Sequence, residues 1–423
     1  MTILKILIIG GGISGLVSAY YLDREDHEIT ILEASDHLGG LCSSFKDHGF
    51  TFDRATHVLH SLSTEDAALL SSGLNVDFIS HDRKATVRIR DAEIPYPFQA
   101  NYDLLPYADI VQRCRVEPNE TTLGEEPSNF EEWCKQNYSP GICEYFMYPY
   151  NSKLWTFPLN ELLSTWTDRF VPSEKSDLAG LSDQGYNRTF LYPSKGGICS
   201  IVQALESKLQ NVRVLKSNGV KRINLGNMKA ITDSGLSVSF DRIISTIALP
   251  ELLKLIEDAP LRIRRLGPKL RWVSVMTLNL GVEGEGPITH WTYFPERRYP
   301  FYRIGYPSNL SSNMAPDDCF SITVEVSYSR SRPLPRGMLQ RIIRSLGKLG
   351  IVKEEFKTRT MSVDTIKYAY VFLDRQTREA IPMLNEYTTK RKVYLLGRYG
   401  RWEYSSISDS LREARGLCQT MSL

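Results

Sequence analysis

The stretch Ile6-Leu7-Ile8-Ile9-Gly10-Gly11-Gly12-Ile13-Ser14-Gly15 decides how this chain is read. Residues Ile3 to Ile9 are β-branched or leucine around one lysine, and they end in three glycines. That is the pattern of a short strand buried on both faces of a parallel sheet. Helical spacing follows over Ile13 to Leu22, and Glu28 to Leu32 reads as a second strand. Gly10-x-Gly12-x-x-Gly15 therefore stands between a strand and a helix, the context a dinucleotide fingerprint requires. The first glycine allows the tight turn, the second lets backbone approach a pyrophosphate, and the third lets helix and strand pack closely. The helix N-terminus offers unpaired N–H groups to the phosphates. Glu33, at the end of the second strand, can accept both ribose hydroxyls. No arginine follows it to hold a 2′-phosphate, which argues against NADP at this site.

Further strands are expected at Val212–Leu215, Val220–Leu225, Ile243–Ile247 and Lys392–Leu396, with helices at Pro250–Ile256 and about Ser406–Cys418. Residues 100–170 are aromatic-rich with helical spacing. Residues 272–330 alternate like antiparallel strands, as in Trp272–Leu278 and Ile322–Val326. The expected fold is α/β: a discontinuous Rossmann-type dinucleotide-binding domain (1–90, 191–265 and 388–423), an inserted helical substrate domain (91–190) and an antiparallel β-sheet substrate domain (266–387). With 423 residues, two or three domains are expected at roughly 150 residues each.

Composition bounds the function. Apolar residues make up 42% and charged residues 24% of the chain, so it is globular rather than disordered or fibrous. Lys and Arg (51) nearly balance Asp and Glu (49), which argues against nucleic acid as a partner. The basic stretches Arg262–Arg271 and Arg330–Lys348 read as solvated faces. The seven cysteines are scattered without a C-x-x-C pair, which fits free thiols in a reducing cytosol. No apolar run reaches the ~20 residues of a membrane span, so a cytoplasmic protein without stable membrane insertion is expected. Only His57-x-x-His60 has close histidine spacing, and no metal site is expected.

Asp36-His37-Leu38-Gly39-Gly40-Leu41-Cys42-Ser43 places a glycine pair six residues after Glu33. It resembles the second glycine motif of the large FAD-binding family that includes amine oxidases and protoporphyrinogen oxidase. In that resemblance Gly39, Gly40, Leu41 and Ser43 pass the FAD pyrophosphate.

Other strings combine aromatic rings with amides or arginines: Tyr96-Pro97-Phe98-Gln99, Tyr148-Pro149-Tyr150-Asn151-Ser152-Lys153-Leu154-Trp155, Trp166-Thr167-Asp168-Arg169, Trp291-Thr292-Tyr293-Phe294-Pro295, Phe301-Tyr302-Arg303 and Gly397-Arg398-Tyr399-Gly400-Arg401-Trp402-Glu403-Tyr404. Aromatics beside an amide suit recognition of a base, and arginine forks match phosphate oxygens. In this order, from Leu4 to about Asp409, the strings resemble the flavin-dependent UDP-galactopyranose mutases, especially the eukaryotic type.

The resemblance implies an isomerase that interconverts pyranose and furanose forms of a UDP-sugar (UDP-galactose or a related sugar). Its FAD would be active when reduced, forming a covalent N5–sugar adduct, with no net redox change. A reductant such as NAD(P)H, galactofuranose for cell-surface glycan biosynthesis and a homo-oligomer are part of the same expectation. Residue by residue, Tyr96, Phe98, Gln99 and Asn151 would hold uridine, with Trp155 in the same pocket. Arg169 and Arg303 would clamp the pyrophosphate with Tyr293, Tyr370 and Tyr404. Asn187 would sit near the sugar, His57 beside the flavin ring, Val220 against adenine, and Gly397 and Arg398 near the FAD. The chain departs from the family pattern at Ala55-Thr56, where two glycines are usual, at Ala369 and Val371 beside Tyr370, at Leu310 where a tyrosine is expected, and after Tyr404. An FAD-dependent oxidase or desaturase of the amine oxidase type, and a nucleotide-sugar binder without chemistry, are the alternatives.

Overall fold

The computed structural model describes residues 3–117, 126–167, 171, 188–353 and 357–421. Five parallel strands form the nucleotide-binding sheet, in the order Val393–Leu395, Arg242–Ser245, Lys5–Ile9, Glu28–Leu32, Val212–Leu215. The strand Lys5–Ile9 explains why the run is apolar throughout. Ile6 and Ile8 pack on the helices Ile13–Leu22 and Ile407–Met421, while Leu7 and Ile9 face a second core with Leu249, Leu252 and Val393. A strand covered on both faces cannot alternate apolar with polar residues.

The chain leaves this sheet and returns to it at residues 212, 242 and 393, so the Rossmann-type unit is discontinuous, as expected. A small antiparallel sheet, Val220–Asn224, Lys229–Thr232 and Ser237–Ser239, flanks it.

The second large sheet has seven strands, in the order Thr358–Phe372, Arg271–Glu283, Cys319–Tyr328, Arg303–Gly305, Trp291–Tyr293, Ala85–Ile89, Ala92–Pro95. All neighbours are antiparallel except Trp291–Tyr293 with Ala85–Ile89. Ala85-Thr86-Val87-Arg88-Ile89 buries every second residue, the period-two pattern of a sheet with one face on a core. The sheet thus draws strands from both sides of residues 90 and 91. Helices between Phe98 and Trp155 pack on it through Phe130, Trp133, Phe146 and Trp155 against Val87, Ile89, Val273 and Val275.

No helix among the described residues is long and apolar enough to cross a membrane. None of the seven cysteines is paired.

Candidate active site

The segments that leave the carboxyl ends of the parallel strands meet at one cleft of about 480 Å³, lined by Gly10, Glu33, Thr246 and Gly397 at that end. Ligands of open α/β sheets bind at such ends. Gly10 has φ +101°, and a Cβ there would come within 2.4 Å of Thr246 Oγ1. At Gly15 a Cβ would lie 2.2 Å from the Gly10 carbonyl oxygen, so this glycine sets helix–strand packing and does not line the cleft. Gly12 differs from both. A Cβ there would meet nothing nearer than the Gly39 carbonyl oxygen at 3.9 Å, so protein leaves space beside it. The Gly39 N–H donates to the Gly11 carbonyl at 2.8 Å, which lays the two glycine motifs side by side.

Helix Ile13–Leu22 carries no side-chain cap at its N-terminus. Glu33 Oε2 accepts from the Gly11 N–H at 2.7 Å, and Oε1 accepts from the Ser35 N–H at 2.8 Å and its hydroxyl at 2.7 Å. Oε2, with a single donor, keeps acceptor capacity for a ribose hydroxyl. Open backbone at Gly12, an uncapped helix end and a fixed acid together fit the pyrophosphate and ribose of a dinucleotide.

Leu41 and Gly40 line the cleft, whereas Ser43 donates to the Gly40 carbonyl at 2.9 Å and braces the turn from outside. Val220 starts its strand at the edge of the neighbouring core and is not in the cleft wall. Arg398 lines the cleft with its guanidinium fixed by the carbonyls of Ser405 (Nε, 2.8 Å) and Ala369 (Nη1, 3.4 Å).

The other end of the cleft is built on the seven-stranded sheet. Arg303 gives Nε and Nη2 to Glu325 at 3.1 and 2.7 Å, and Glu325 is fully buried. The neighbouring Tyr302 donates its hydroxyl to the same carboxylate. Burial pulls the Arg303 pKa down, and the Glu325 charge more than reverses this, so the guanidinium stays charged. Tyr293, Tyr370 and Tyr404 surround it in the cleft wall. Burial, and then the Tyr370 charge, push the Tyr404 hydroxyl up to about 12, so it is a neutral hydrogen-bond donor.

Tyr96, Gln99 and Asn151 also line the cleft, and Tyr96 lies 4.9 Å from Tyr293 ring to ring. Phe98 and Trp155 are fully buried one layer back: Phe98 stacks on Phe146, and Trp155 supports Tyr370 and Tyr404. They shape the wall without lining it. Arg169 and Asn187 lie outside the described residues.

His57 sits between the two ends. Burial, then the Arg398 charge, lower its pKa to about 4, so the ring is neutral at pH 7. Its Nδ1 lies 3.1 Å from the Ala55 carbonyl, which can only accept. The proton is therefore on Nδ1, and Nε2 is an acceptor. Ala55 has φ +62°, so alanine holds here the left-handed backbone that glycine adopts more easily.

Several lining residues were not among those assigned from sequence. Thr56 Oγ1, Trp166 Nε1, Trp291 Nε1 and Ser405 Oγ are buried in the cleft wall without a hydrogen-bond partner among the described residues. Buried polar atoms are rarely left so, and each is a candidate ligand contact. Arg83 lines the cleft over the ring of Tyr96, 4.7 Å from its centroid. Trp166, Trp291 and Tyr150 belong to strings singled out above. Arg83 stands in an unremarkable polar stretch, and only the strand pairing beside it brings it here. Among the described residues no group of three or more His, Cys, Asp or Glu could hold a metal ion.

The fold and this cleft define an FAD-binding flavoprotein. The profile of the flavin containing amine oxidoreductases matches residues 13–419, and the chain belongs to that family. It is an enzyme class that carries FAD, and the residues around Gly12 fit that cofactor.

In structure the chain is similar to a reduced UDP-galactopyranose mutase, with TM-score 0.91 and 26% identity over 100% of this chain and 94% of that one. It is also similar to a putative protoporphyrinogen oxidase from Exiguobacterium sp. 255-15, with TM-score 0.79 over 100% of this chain and 99% of that one. At 18% identity that likeness speaks for the fold alone. Among curated relatives, 4,4'-diapolycopen-4-al dehydrogenase of Metabacillus indicus is 25% identical over 52% of this chain and 50% of its own length. A 4,4'-diapophytoene desaturase of Staphylococcus aureus (strain COL) is 28% identical over 22% of this chain and 21% of its own length. The chain spans at most about half the length of these two relatives.

Proposed function

We propose that this protein interconverts the pyranose and furanose forms of a UDP-sugar, using reduced FAD and no net redox change. The observation that carries this reading is the Arg303 guanidinium, braced by buried Glu325 in the same cleft as the dinucleotide glycines. A buried arginine–carboxylate pair is costly to desolvate, and its use beside a cofactor suits a doubly charged pyrophosphate. The likeness to UDP-galactopyranose mutase over the whole chain supports the same reading.

When bound, reduced flavin supplies an electron pair toward the sugar's anomeric carbon. The chain's own residues bind and orient. Arg303, with Arg83 over the Tyr96 ring, offsets the charge of the UDP pyrophosphate and favours its departure and return. The hydroxyls of Tyr293, Tyr370 and Tyr404 donate to its oxygens, and Tyr96 and Gln99 form the uridine end. His57, neutral and with Nε2 as acceptor, takes a hydrogen bond without adding charge. By sequence pattern alone, Arg169 would join Arg303 and Asn187 would contact the sugar. NAD(P)H as reductant, a cytoplasmic setting and a homo-oligomer belong to this proposal.

The desaturase and dehydrogenase relatives favour a second reading, an FAD-dependent oxidase or desaturase. It calls for an apolar cavity, and the unpartnered atoms of Thr56, Trp166, Trp291 and Ser405 count against that.

An anaerobic comparison separates the two. Dithionite-reduced protein is expected to change the ring size of one UDP-sugar, UDP-galactose first in the panel, as read by NMR, with the flavin still reduced afterwards. Oxidised protein is expected to be inactive. Bleaching of oxidised flavin by the turned-over substrate would overturn the mutase reading and establish the oxidase one.

A further inference from the structure

A second, smaller cavity of about 130 Å³ lies behind the Arg303 strand. That is about a quarter of the volume of the main cleft, a size for a phosphate or pyrophosphate group. Its wall brings together Lys153, Arg297, Arg332 and Arg341 from four separate segments. Lys153 comes from helix Tyr148–Trp155, Arg341 from helix Met338–Lys348, and the other two from turns. No carboxylate among the described residues lines it. Glu296, an acid beside Lys153, turns its carboxylate to Arg298 and to the Arg90 N–H, and Glu325 is taken up by Tyr302 and Arg303.

Lys153 is 7% exposed, and its Nζ donates to the carbonyls of Phe294 at 2.5 Å and Glu296 at 3.1 Å. Burial, and then the nearby Arg332 charge, lower its pKa to about 7, with Glu296 pulling the other way. Arg332 is fixed at the rim by donating to the Ser152 carbonyl at 3.0 Å. Ser327 Oγ, from the strand forming the floor, is buried without a partner. The charge is local to this face. Residues 329–353 hold seven Lys and Arg and no Asp or Glu, in a chain whose net charge is only +2. Cations gathered this closely repel one another, and an anion between them relieves the repulsion while giving Ser327 a partner.

We propose that this cavity is a second anion site, taking a phosphate or pyrophosphate group outside the reaction cleft. Two elements join the sites. Tyr302 forms part of this wall and bonds Glu325, which holds Arg303. Lys153 shares its helix with Tyr150 and Asn151, which line the cleft. An anion here bears on the back of the substrate-binding wall, so its effect on turnover is regulatory.

Pyrophosphate and inorganic phosphate, titrated calorimetrically into the holoenzyme, test this without reference to the reaction. The expected result is binding heat that survives Arg303→Ala and is weakened roughly tenfold or more by Arg341→Ala, the loss of one charge-assisted contact. Arg341 is exposed on its helix, so this variant keeps the fold. Lys153→Met should abolish the same heat, and Arg341→Ala decides alone if Lys153→Met does not fold. Binding that disappears in Arg303→Ala and ignores Arg341→Ala would place the anion in the main cleft and overturn the proposal. So would sedimentation with phosphatidate-containing vesicles in the absence of pyrophosphate binding, since the basic helix would then be reading a surface.

Discussion

Arg303 and Glu325 face each other across adjacent antiparallel strands, in direct register, with three donor–acceptor contacts of 2.7–3.1 Å. The carboxylate takes Nε and Nη2, which leaves Nη1 for the cleft. The arginine is therefore held in one orientation before any ligand arrives, and little entropy is lost on binding.

Replacing the guanidinium by an ammonium keeps the charge and loses the fork. Arg303→Lys is expected to lower kcat/KM for the UDP-sugar by roughly ten- to a hundredfold, the effect of losing one charge-assisted contact of about 1.5–3 kcal/mol. Glu325→Gln is expected to lower kcat/KM as well and to reduce thermal stability, because it leaves the arginine charge without its buried partner. Normal turnover in both variants would move the pyrophosphate clamp elsewhere.

Gly12 offers a clean test of cofactor binding. Its Cβ position is clear of protein, while those of Gly10 and Gly15 are not. Gly12→Val should fold and purify without flavin colour, whereas Gly10→Val and Gly15→Val should fail in folding. Far-ultraviolet circular dichroism and the absorbance of the purified proteins read this. A yellow Gly12→Val with full FAD occupancy would contradict the assignment of this glycine.

Ala55 holds a left-handed backbone that costs an L-residue about 1–2 kcal/mol, and glycine gives back part of the gain through its more flexible unfolded chain. Ala55→Gly is therefore expected to stabilise the protein by up to about 1 kcal/mol. Ala55→Val should destabilise it. Urea denaturation of the three proteins measures the order.

Three histidines set the acid limit of stability. Burial lowers His57, His60 and His290 from 6.5 to about 4. Between those values the unfolded chain takes up protons that the folded chain does not, so stability falls as the pH drops from 6.5 toward 4. Asp53, which burial raises to about 6, works in the opposite direction over part of that window and is outnumbered. The melting temperature should fall steadily over this range. A flat profile would mean that these rings are protonated in the folded protein.

A uridine end built on Gln99 expects UDP to bind more tightly than GDP or dTDP. Calorimetry on wild type and Gln99→Ala should show this preference and its loss. Equal affinities in the wild type would reassign the base pocket.

The nucleotide-binding half of this protein was legible because its signals are local. The strand, the glycine turn, the helix and Glu33 fall within 33 consecutive residues, and Gly15 answers a contact with Gly10 inside the same turn. The strands Glu28–Leu32 and Val212–Leu215 and the helix Ile13–Leu22 follow from periodicity alone. The aromatic and arginine strings marked which segments would gather, and the structure brings Tyr96, Gln99, Asn151, Tyr293, Arg303, Tyr370, Arg398 and Tyr404 into one cleft.

What the chain alone could not decide is which side of each segment faces the ligand. Phe98 and Gln99 are neighbours, yet one is core and the other wall, because a helical turn rotates adjacent side chains apart. The partner of Arg303 lies 22 residues away and is selected by sheet register. Arg83 enters the cleft because its neighbouring strand runs parallel to Trp291–Tyr293. Local backbone chemistry is written in adjacent residues, whereas the pairing of distant charges depends on how strands align, which only the folded sheet determines.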